Sequence, residues 1–265
     1  MQPIAFLGGG NITSALAAGL RLAGDRRPLI VYDRHPEKLR AMRRDSRIEI
    51  ARDLKFAVAR ADMLIVAVRP ASVRPALEEL AACGAPPPRH CISLAAGIPL
   101  RDLRAWLGPP VRWARAMPSP VCRIARGLTP VCFDRSLTNP DKNRVRRLFR
   151  QVGTVIDLAD AQMDAITATH SPTHGYHALA ALAKAARDAG LDPETALTAA
   201  AHALADGISY WRESGQSLDE LLHEAATPGG IAAATMKALD AAGYRKVVSK
   251  GLRAGIAQAR RNARL

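Results

Sequence analysis

Pro3-Ile4-Ala5-Phe6-Leu7-Gly8-Gly9-Gly10-Asn11-Ile12-Thr13 is the stretch that decides the fold of this 265-residue chain. Pro3 to Leu7 is apolar and has the length of a buried strand. Gly8 to Gly10 follow at once. From Ile12 to Leu20 the apolar residues recur at helical spacing. Strand, glycine turn and helix are the context in which a backbone loop holds a dinucleotide. Gly8 makes the tight turn, and Gly10 lets the main chain approach a pyrophosphate. Asn11 and Ile12 open a helix whose free N–H groups and positive dipole end face that anion. The fingerprint is incomplete, because Thr13 stands where the third glycine would be. An ordinary strand-to-helix turn of an α/β protein could use the same residues, so the surrounding chain must supply the context.

Outward from this loop, strand and helix alternate. Leu29 to Tyr32 reads as a second apolar strand and ends in Asp33-Arg34-His35-Pro36. An acidic residue here bonds the adenosine ribose and repels a 2′-phosphate, whereas an arginine welcomes the phosphate. Asp33 argues for NAD, Arg34 and His35 for NADP, and the alternatives stay open. Pro36 to Arg44 and Asp53 to Ala61 read as helices around a short strand, Ile48 to Ile50. Met63 to Val68 is a continuous apolar run, the mark of a central parallel strand covered on both faces. Ala67, Val68, Arg69 and Pro70 then lie at the carboxyl edge, where cofactors bind. Further strands are expected at Cys91–Leu94, before Ala95-Ala96-Gly97, and at Val111–Met117. Val131–Phe133 and Val152–Leu158 are expected at the sheet edge, around a basic helix, Asp141 to Gln151. Residues 1–160 are therefore expected to form an α/β dinucleotide-binding domain with a mainly parallel sheet.

Residues 161–265 have another texture. Strand runs vanish and alanine dominates. Helices are predicted over Gln162–Thr169, Gly175–Ala189, Pro193–Ser214, Ser217–Ala226, Gly230–Ala242 and Tyr244–Ala263. Asp192-Pro193 and Ser217 serve as starts, and Gly190, Gly215 and Gly243 as stops. Small side chains let such helices approach closely, either within one chain or against a second copy.

The bulk numbers exclude several classes. The length and 48% hydrophobic content suit one large domain or two smaller ones. No apolar run approaches membrane-spanning length, so no membrane association is expected. No leader precedes the first strand, which places the expected site of action in the cytoplasm. Cys83, Cys91, Cys122 and Cys132 lack the paired spacing of a zinc site, and no metal is expected. The net charge of +14 could serve nucleic acid, but aromatics are only 4% and the arginines are dispersed. A solvated basic surface explains the charge more simply, and no nucleic-acid partner is expected.

The motifs together resemble the pyrroline-5-carboxylate reductase family over nearly the whole chain. Ile4-Ala5-Phe6-Leu7-Gly8-Gly9-Gly10-Asn11-Ile12 resembles the family's IGFIGxGNM. Ala61-Asp62 and Ala67-Val68-Arg69-Pro70 resemble AD and AVKP. Ser93-Leu94-Ala95-Ala96-Gly97-Ile98 resembles SxAAGI. Arg115-Ala116-Met117-Pro118 resembles the start of RxMPNTP, and Gly127-Leu128-Thr129 resembles GMT. Thr227-Pro228-Gly229-Gly230 resembles SPGGTT, and Ala241 to Arg245 resembles EGGFR. The resemblance implies an N-terminal Rossmann domain and an all-α C-terminal domain that interleaves in a dimer. It implies reduction of the cyclic imine 1-pyrroline-5-carboxylate to proline with NADPH or NADH. The expected cofactor residues are Gly8, Gly10, Asn11, Ile12, Asp33, Arg34, Ala67, Val68, Arg69, Pro70, Ala95 and Gly97.

The departures concentrate on the substrate side. The family's GSGPAY region reads Thr169-His170-Ser171-Pro172-Thr173-His174 and runs about two residues short, by alignment with the family motif. The glutamate and aspartate of the following family helix become Ala180 and Lys184. The asparagine of MPNTP is Ser119. Both threonines of SPGGTT are lost, to Ile231 and Ala232. The resemblance implies substrate contacts at Met117, Ser119, Pro172, His174, Gly229, Gly230 and Ile231. Thr227, Ser171 and His170 are the candidate groups for protonating the imine. His170, His174 and His177 could replace lost polar groups, could begin a metal site, or could lie on the surface. Pro172 interrupts the helix that would align them. Two readings remain: a reductase of this or a related small imine, and a nucleotide-binding dimer that has lost or changed its reaction.

Overall fold

The computed structural model describes residues 2–262 and divides them into two compact units. The first comprises the chain up to His170 together with the segment from Gly255 onward; the second is Ser171–Ala254.

The first unit is built on an eight-stranded sheet. Its strands are β1 (Ile4–Leu7), β2 (Leu29–Tyr32), β3 (Glu49–Ile50), β4 (Met63–Val66), β5 (His90–Ser93), β6 (Arg112–Ala116), β7 (Gly127–Phe133) and β8 (Gly153–Asp157). They lie in the order β3-β2-β1-β4-β5-β6-β7-β8. All neighbouring pairs are parallel except β6 with β7. The helices are α1 (Asn11–Leu22), α2 (Leu39–Ser46), α3 (Leu54–Arg60), α4 (Val73–Ala82), α5 (Leu100–Trp106), α6 (Asn139–Arg150) and α7 (Met163–Thr169).

Alternation along β1 explains why the central strands read as unbroken apolar runs. Ile4 and Phe6 join one core cluster with Leu16, Leu20 and Phe149. Ala5 and Leu7 join another with Leu77, Leu80 and Trp113 on the opposite face. Each face is covered by helices, so no position of the strand meets water. β7 differs from expectation. It begins four residues earlier, at Gly127, and lies inside the sheet between β6 and β8. Pro130 signals an edge because it lacks an N–H. It is tolerated because Pro130 O still accepts the Met117 N–H at 3.0 Å, and the Met117 carbonyl, left without a strand donor, faces His170 Nε2 at 2.8 Å. β8 forms one edge of the sheet and β3 the other.

Asp141 ties α6 to the sheet. With Thr138 it forms a reciprocal capping box at the helix start. Its carboxylate also meets His90 Nε2 at 2.9 Å and Arg112 Nη1 at 3.0 Å. Burial works to raise its pKa; hydrogen bonds from Thr138, with His90 and Arg112 nearby, outweigh burial and hold it below the usual carboxylate range. A depressed carboxylate contributes stability above its unfolded pKa and loses it as pH falls through the folded one. Denaturant midpoints are therefore expected to fall on acidification below the ordinary aspartate pKa of about 3.9. Asp141→Asn should lower the midpoint at neutral pH and flatten this acid limb.

The second unit is helical: α8 (Thr173–Asp188), α9 (Pro193–Ser214), α10 (Leu218–Ala225), α11 (Ile231–Ala241) and the first part of α12 (Tyr244–Asn262). Asp192 and Ser217 cap α9 and α10 through their side chains, as the sequence predicts. The helical texture starts at Asp160, yet α7 stays with the first unit because Met163 is fully buried in its core. The rest of α12, from Gly255, also belongs to the first unit, and Gly255 lies 3.2 Å (as an added Cβ) from Ala168 of α7. Within the second unit only Ala183, Ala196 and Ala200 are buried. Tyr176, Leu197, Ile208, Tyr210, Trp211 and Leu222 are exposed. That much uncovered apolar surface marks an interaction face. No helix among the described residues is long and apolar enough to cross a membrane.

Candidate active site

The glycine loop sits at the carboxyl edge of β1. Gly8 has φ +106°, a conformation side chains other than hydrogen rarely adopt. A Cβ there would lie 2.8 Å from the Ala67 carbonyl oxygen. The Gly8 N–H donates to Tyr32 O at 2.8 Å. Thr13, the apparent flaw in the fingerprint, is fully buried and donates its hydroxyl to Gly8 O at 2.7 Å. It therefore fastens the loop to the helix it starts. Nothing lies within 4 Å of a Cβ placed on Gly10. Gly10 is also the N-cap of α1, which has no side-chain cap and no acidic residue in its first turn. The helix start is open and uncapped, and its own first turn carries no acidic residue, as suits an anion site.

A cleft of about 360 Å³ opens from this loop. Gly8, Gly10, Asp33, Arg34, Ala67, Val68 and Arg69 line it, as expected from sequence. Asn11, Ile12, Pro70, Ala95 and Gly97 do not. Ala95 is buried, with its N–H on Ser93 Oγ at 3.3 Å, and Gly97 packs against α12. His35, read from sequence with Arg34 as favouring NADP, joins the lining, and Gly9, Tyr32, Lys38 and Glu79 do so without having been expected. Lys38 could have been suspected as a third cation just after Arg34 and His35. Glu79, on α4, carries no local signal. It accepts the Tyr32 hydroxyl at 3.1 Å, and burial first, then Glu79, raises the Tyr32 pKa.

Asp33 does something the motif does not reveal. Its Oδ2 accepts the Gly9 N–H at 2.8 Å, and its Oδ1 accepts the His35 N–H at 2.9 Å. Both oxygens are committed to the protein's own backbone, and the carboxylate braces the glycine loop against the end of β2.

The remaining candidates are described unit by unit. In the first unit, Ser119 is buried and its Oγ accepts the Val121 N–H at 3.3 Å, capping a 3-10 turn at Pro120–Ile124. Met117 offers its carbonyl to His170 Nε2 at 2.8 Å, while His170 Nδ1 faces Ile166 O at 2.7 Å. Both ring nitrogens thus face backbone acceptors, and the ring clamps α7 to the end of β6.

In the second unit, Pro172 precedes α8, and Ser171 donates its hydroxyl to Thr173 Oγ1 at 3.0 Å. His174 and His177 are exposed on α8. Among the described residues no three His, Cys, Asp or Glu side chains gather as metal ligands. Thr227 to Gly230 form a tight turn, closed by Gly230 N–H to Thr227 O at 2.9 Å with Gly229 at φ +75°. Proline second and glycine third suit a type II turn. It delivers the chain into α11, whose start has no side-chain cap. Ile231, its first residue, is 89% exposed. Thr227 is exposed, and its hydroxyl takes part in none of the hydrogen bonds of the described residues.

Comparisons with known proteins agree with this layout. Residues 3–97 match a family model described as NADP oxidoreductase coenzyme F420-dependent. Residues 160–262 match one described as pyrroline-5-carboxylate reductase dimerisation. The pyrroline-5-carboxylate reductase of Mycobacterium tuberculosis is 30% identical, over 96% of this chain and 94% of its own. The chain belongs to the pyrroline-5-carboxylate reductase family. Another member, from Pseudomonas aeruginosa, is 28% identical over 95% of this chain and 93% of its own. The Coxiella burnetii member superposes with a TM-score of 0.86 at 27% identity, covering 98% of each chain. A Plasmodium falciparum structure of the family with NADP bound shares the fold, with a TM-score of 0.87 at 20% identity over 99% of this chain and 98% of that one.

Proposed function

We propose that this chain reduces the C=N bond of 1-pyrroline-5-carboxylate, or a closely related small imine, with NADPH or NADH, giving proline in the parent case. The observation that carries the reading is the glycine cradle, with an uncapped helix start over Gly10 and cations at the far end of its cleft. These residues fit a dinucleotide. The loop and the start of α1 would take the pyrophosphate, and Arg34, His35 and Lys38 the adenosine end. When bound, the cofactor supplies the hydride. The imine carbon takes that hydride, its nitrogen takes one proton, and the C=N bond becomes C–N.

Thr227 is the proposed proton donor or its relay from water, because its hydroxyl is exposed and uncommitted, unlike those of Ser171 and His170's ring nitrogens. The N–H groups of Gly229 and Ile231 would hold the substrate carboxylate, with Gly230, whose own N–H closes the turn onto Thr227, setting their direction. Residues 1–160 are proposed as the dinucleotide domain and residues 161–265 as the substrate and dimerisation domain by role, although α7 and the end of α12 pack with the first unit. The exposed apolar face of α8 to α10 would be buried against a second copy, as a homodimer or a larger assembly. The proposed location is the cytoplasm.

NADPH is the proposed preference. Arg34, His35 and Lys38 line the cleft and would meet a 2′-phosphate, whereas Asp33 accepts one N–H on each oxygen, from Gly9 and His35, and so holds only part of its acceptor capacity for ribose. Purified chain mixed with pyrroline-5-carboxylate and either cofactor should consume NADPH at the lower KM. Arg34→Ala should raise the NADPH KM at least about tenfold, the worth of a charge-assisted hydrogen bond, and leave the NADH KM unchanged. Equal loss for both cofactors would remove the phosphate role of Arg34. No absorbance loss with either cofactor would end the proline-forming reading.

A further inference from the structure

We propose that the first unit carries a second anion site, separate from the dinucleotide cleft, that grips a small oxyanion side-on through Arg115. A cleft of about 660 Å³ lies between α5, α7 and the last turn of α12, and Arg115 of β6 lines it. The Arg115 side chain is only 2% exposed. Its Nη1 is paired with Asp160, whose other oxygen is held by the Leu100 N–H at 2.9 Å. Its remaining edge is different. Nε and Nη2 are both buried and neither has a hydrogen-bond partner. The nearest carboxylate oxygen, Asp164 Oδ1, stands 3.9 Å from Nη2, too far for a hydrogen bond.

Those two orphan donors are not scattered. Nε–H and the outer Nη–H of a guanidinium point the same way and form the fork that a carboxylate or phosphate fills with two oxygens. Leaving both empty and buried is costly, and an oxyanion removes the cost. The surroundings favour negative charge despite Asp164. Arg104 at the wall is already paired with Asp134. Arg135 and Arg260 line the cleft and take part in no ion pair of the described residues. Arg260 is held there because Gly97, at φ +82°, admits α12 so closely that a Cβ would overlap the Ala259 carbonyl. The wider field agrees: residues 1–170 carry 27 Lys and Arg against 15 Asp and Glu, whereas residues 171–254 carry 8 against 9. The chain's cationic excess therefore lies in the unit that holds both clefts.

The test is titration calorimetry on the full chain saturated with NADPH, with inorganic phosphate and succinate as separate probes. One saturable site per chain is expected for at least one probe. Phosphate alone would point to a phosphate ester as the natural ligand, and succinate alone to a carboxylate. Arg115→Lys keeps the charge and loses the fork, and should weaken binding at least about tenfold. Arg260→Ala and Arg135→Ala change only the rim and should weaken it several-fold, which keeps the test intact if Arg115→Lys fails to fold. Arg26→Ala, on the remote basic surface, should change nothing. Absence of saturable binding, equal binding in all variants, or loss of binding on NADPH saturation would each overturn the proposal.

Discussion

Gly8→Ala is expected to lose both stability and cofactor, and Gly10→Ala to lose cofactor alone. At Gly8 the backbone has φ +106°, and a methyl group would press on the Ala67 carbonyl at 2.8 Å. The loop cannot relax, because Gly8 N–H holds Tyr32 O and Gly8 O holds the Thr13 hydroxyl. A side chain forced into such a backbone region costs about 1–3 kcal/mol. The same shift moves the N–H groups that would face the pyrophosphate, so the Kd for NADPH should rise more than about tenfold, since several charge-assisted bonds weaken together. Gly10 has an ordinary φ of −77° and open space around its Cβ. Alanine there should leave stability within about 1 kcal/mol, the usual range for a change at a helix cap. It should still weaken NADPH, because that open space is where the phosphate would sit. Thermal melts with and without NADPH separate the two. If Gly10→Ala binds NADPH as well as the parent, the cradle is misassigned.

Asp160→Ala should be the most destabilising single change outside the core apolar residues. It strips the partner from a guanidinium that is 2% exposed, and it removes the acceptor that caps α5 through Leu100. Breaking a buried pair from one side leaves an uncompensated charge and costs about 3–5 kcal/mol. Asp160→Asn keeps one acceptor oxygen, enough for Arg115 or the Leu100 N–H but not for both, and should cost less than alanine while still falling below the parent. Denaturant midpoints in the absence of added anions rank the three proteins. A small loss for Asp160→Ala would mean that water reaches Arg115 freely.

Buried thiols supply a contrast. Burial pushes the Cys122 and Cys132 pKa values up to about 12. Both stay protonated at neutral pH, and neither cysteine takes part in the chemistry proposed above.

How much was legible beforehand differs by residue. The doubly covered strands β1 and β4, the glycine turn and the caps Asp192 and Ser217 are written in local sequence, because apolar runs, turn residues and cap side chains act on their immediate neighbours. The inward position of β7 was not legible, because Pro130 signals an edge and only the tertiary contact of His170 with the Met117 carbonyl shows how its missing N–H is made good. Of the cofactor residues, those on one loop or strand end were readable. Gly97 was not, because its neighbour Ala259 lies far along the chain. A second role of Asp33 was hidden for the same reason. As a residue type at a strand end it reads as a ribose ligand, and only the folded loop brings the Gly9 and His35 N–H groups to its oxygens. His170 reads as a titratable group near a substrate motif, and tertiary contact with Met117 makes it a clamp.

By itself, then, the sequence determined the strand–glycine–helix unit, the alternation that makes a covered parallel sheet, and the change to helices near residue 160. These follow from periodicity and backbone freedom, which are local. Only the tertiary structure decided which polar groups are spent internally and which are left open. Hydrogen-bond satisfaction depends on partners distant in the chain: Asp33 and Thr13 closed on the loop, while the space over Gly10 stayed open and one edge of Arg115 remained without partners.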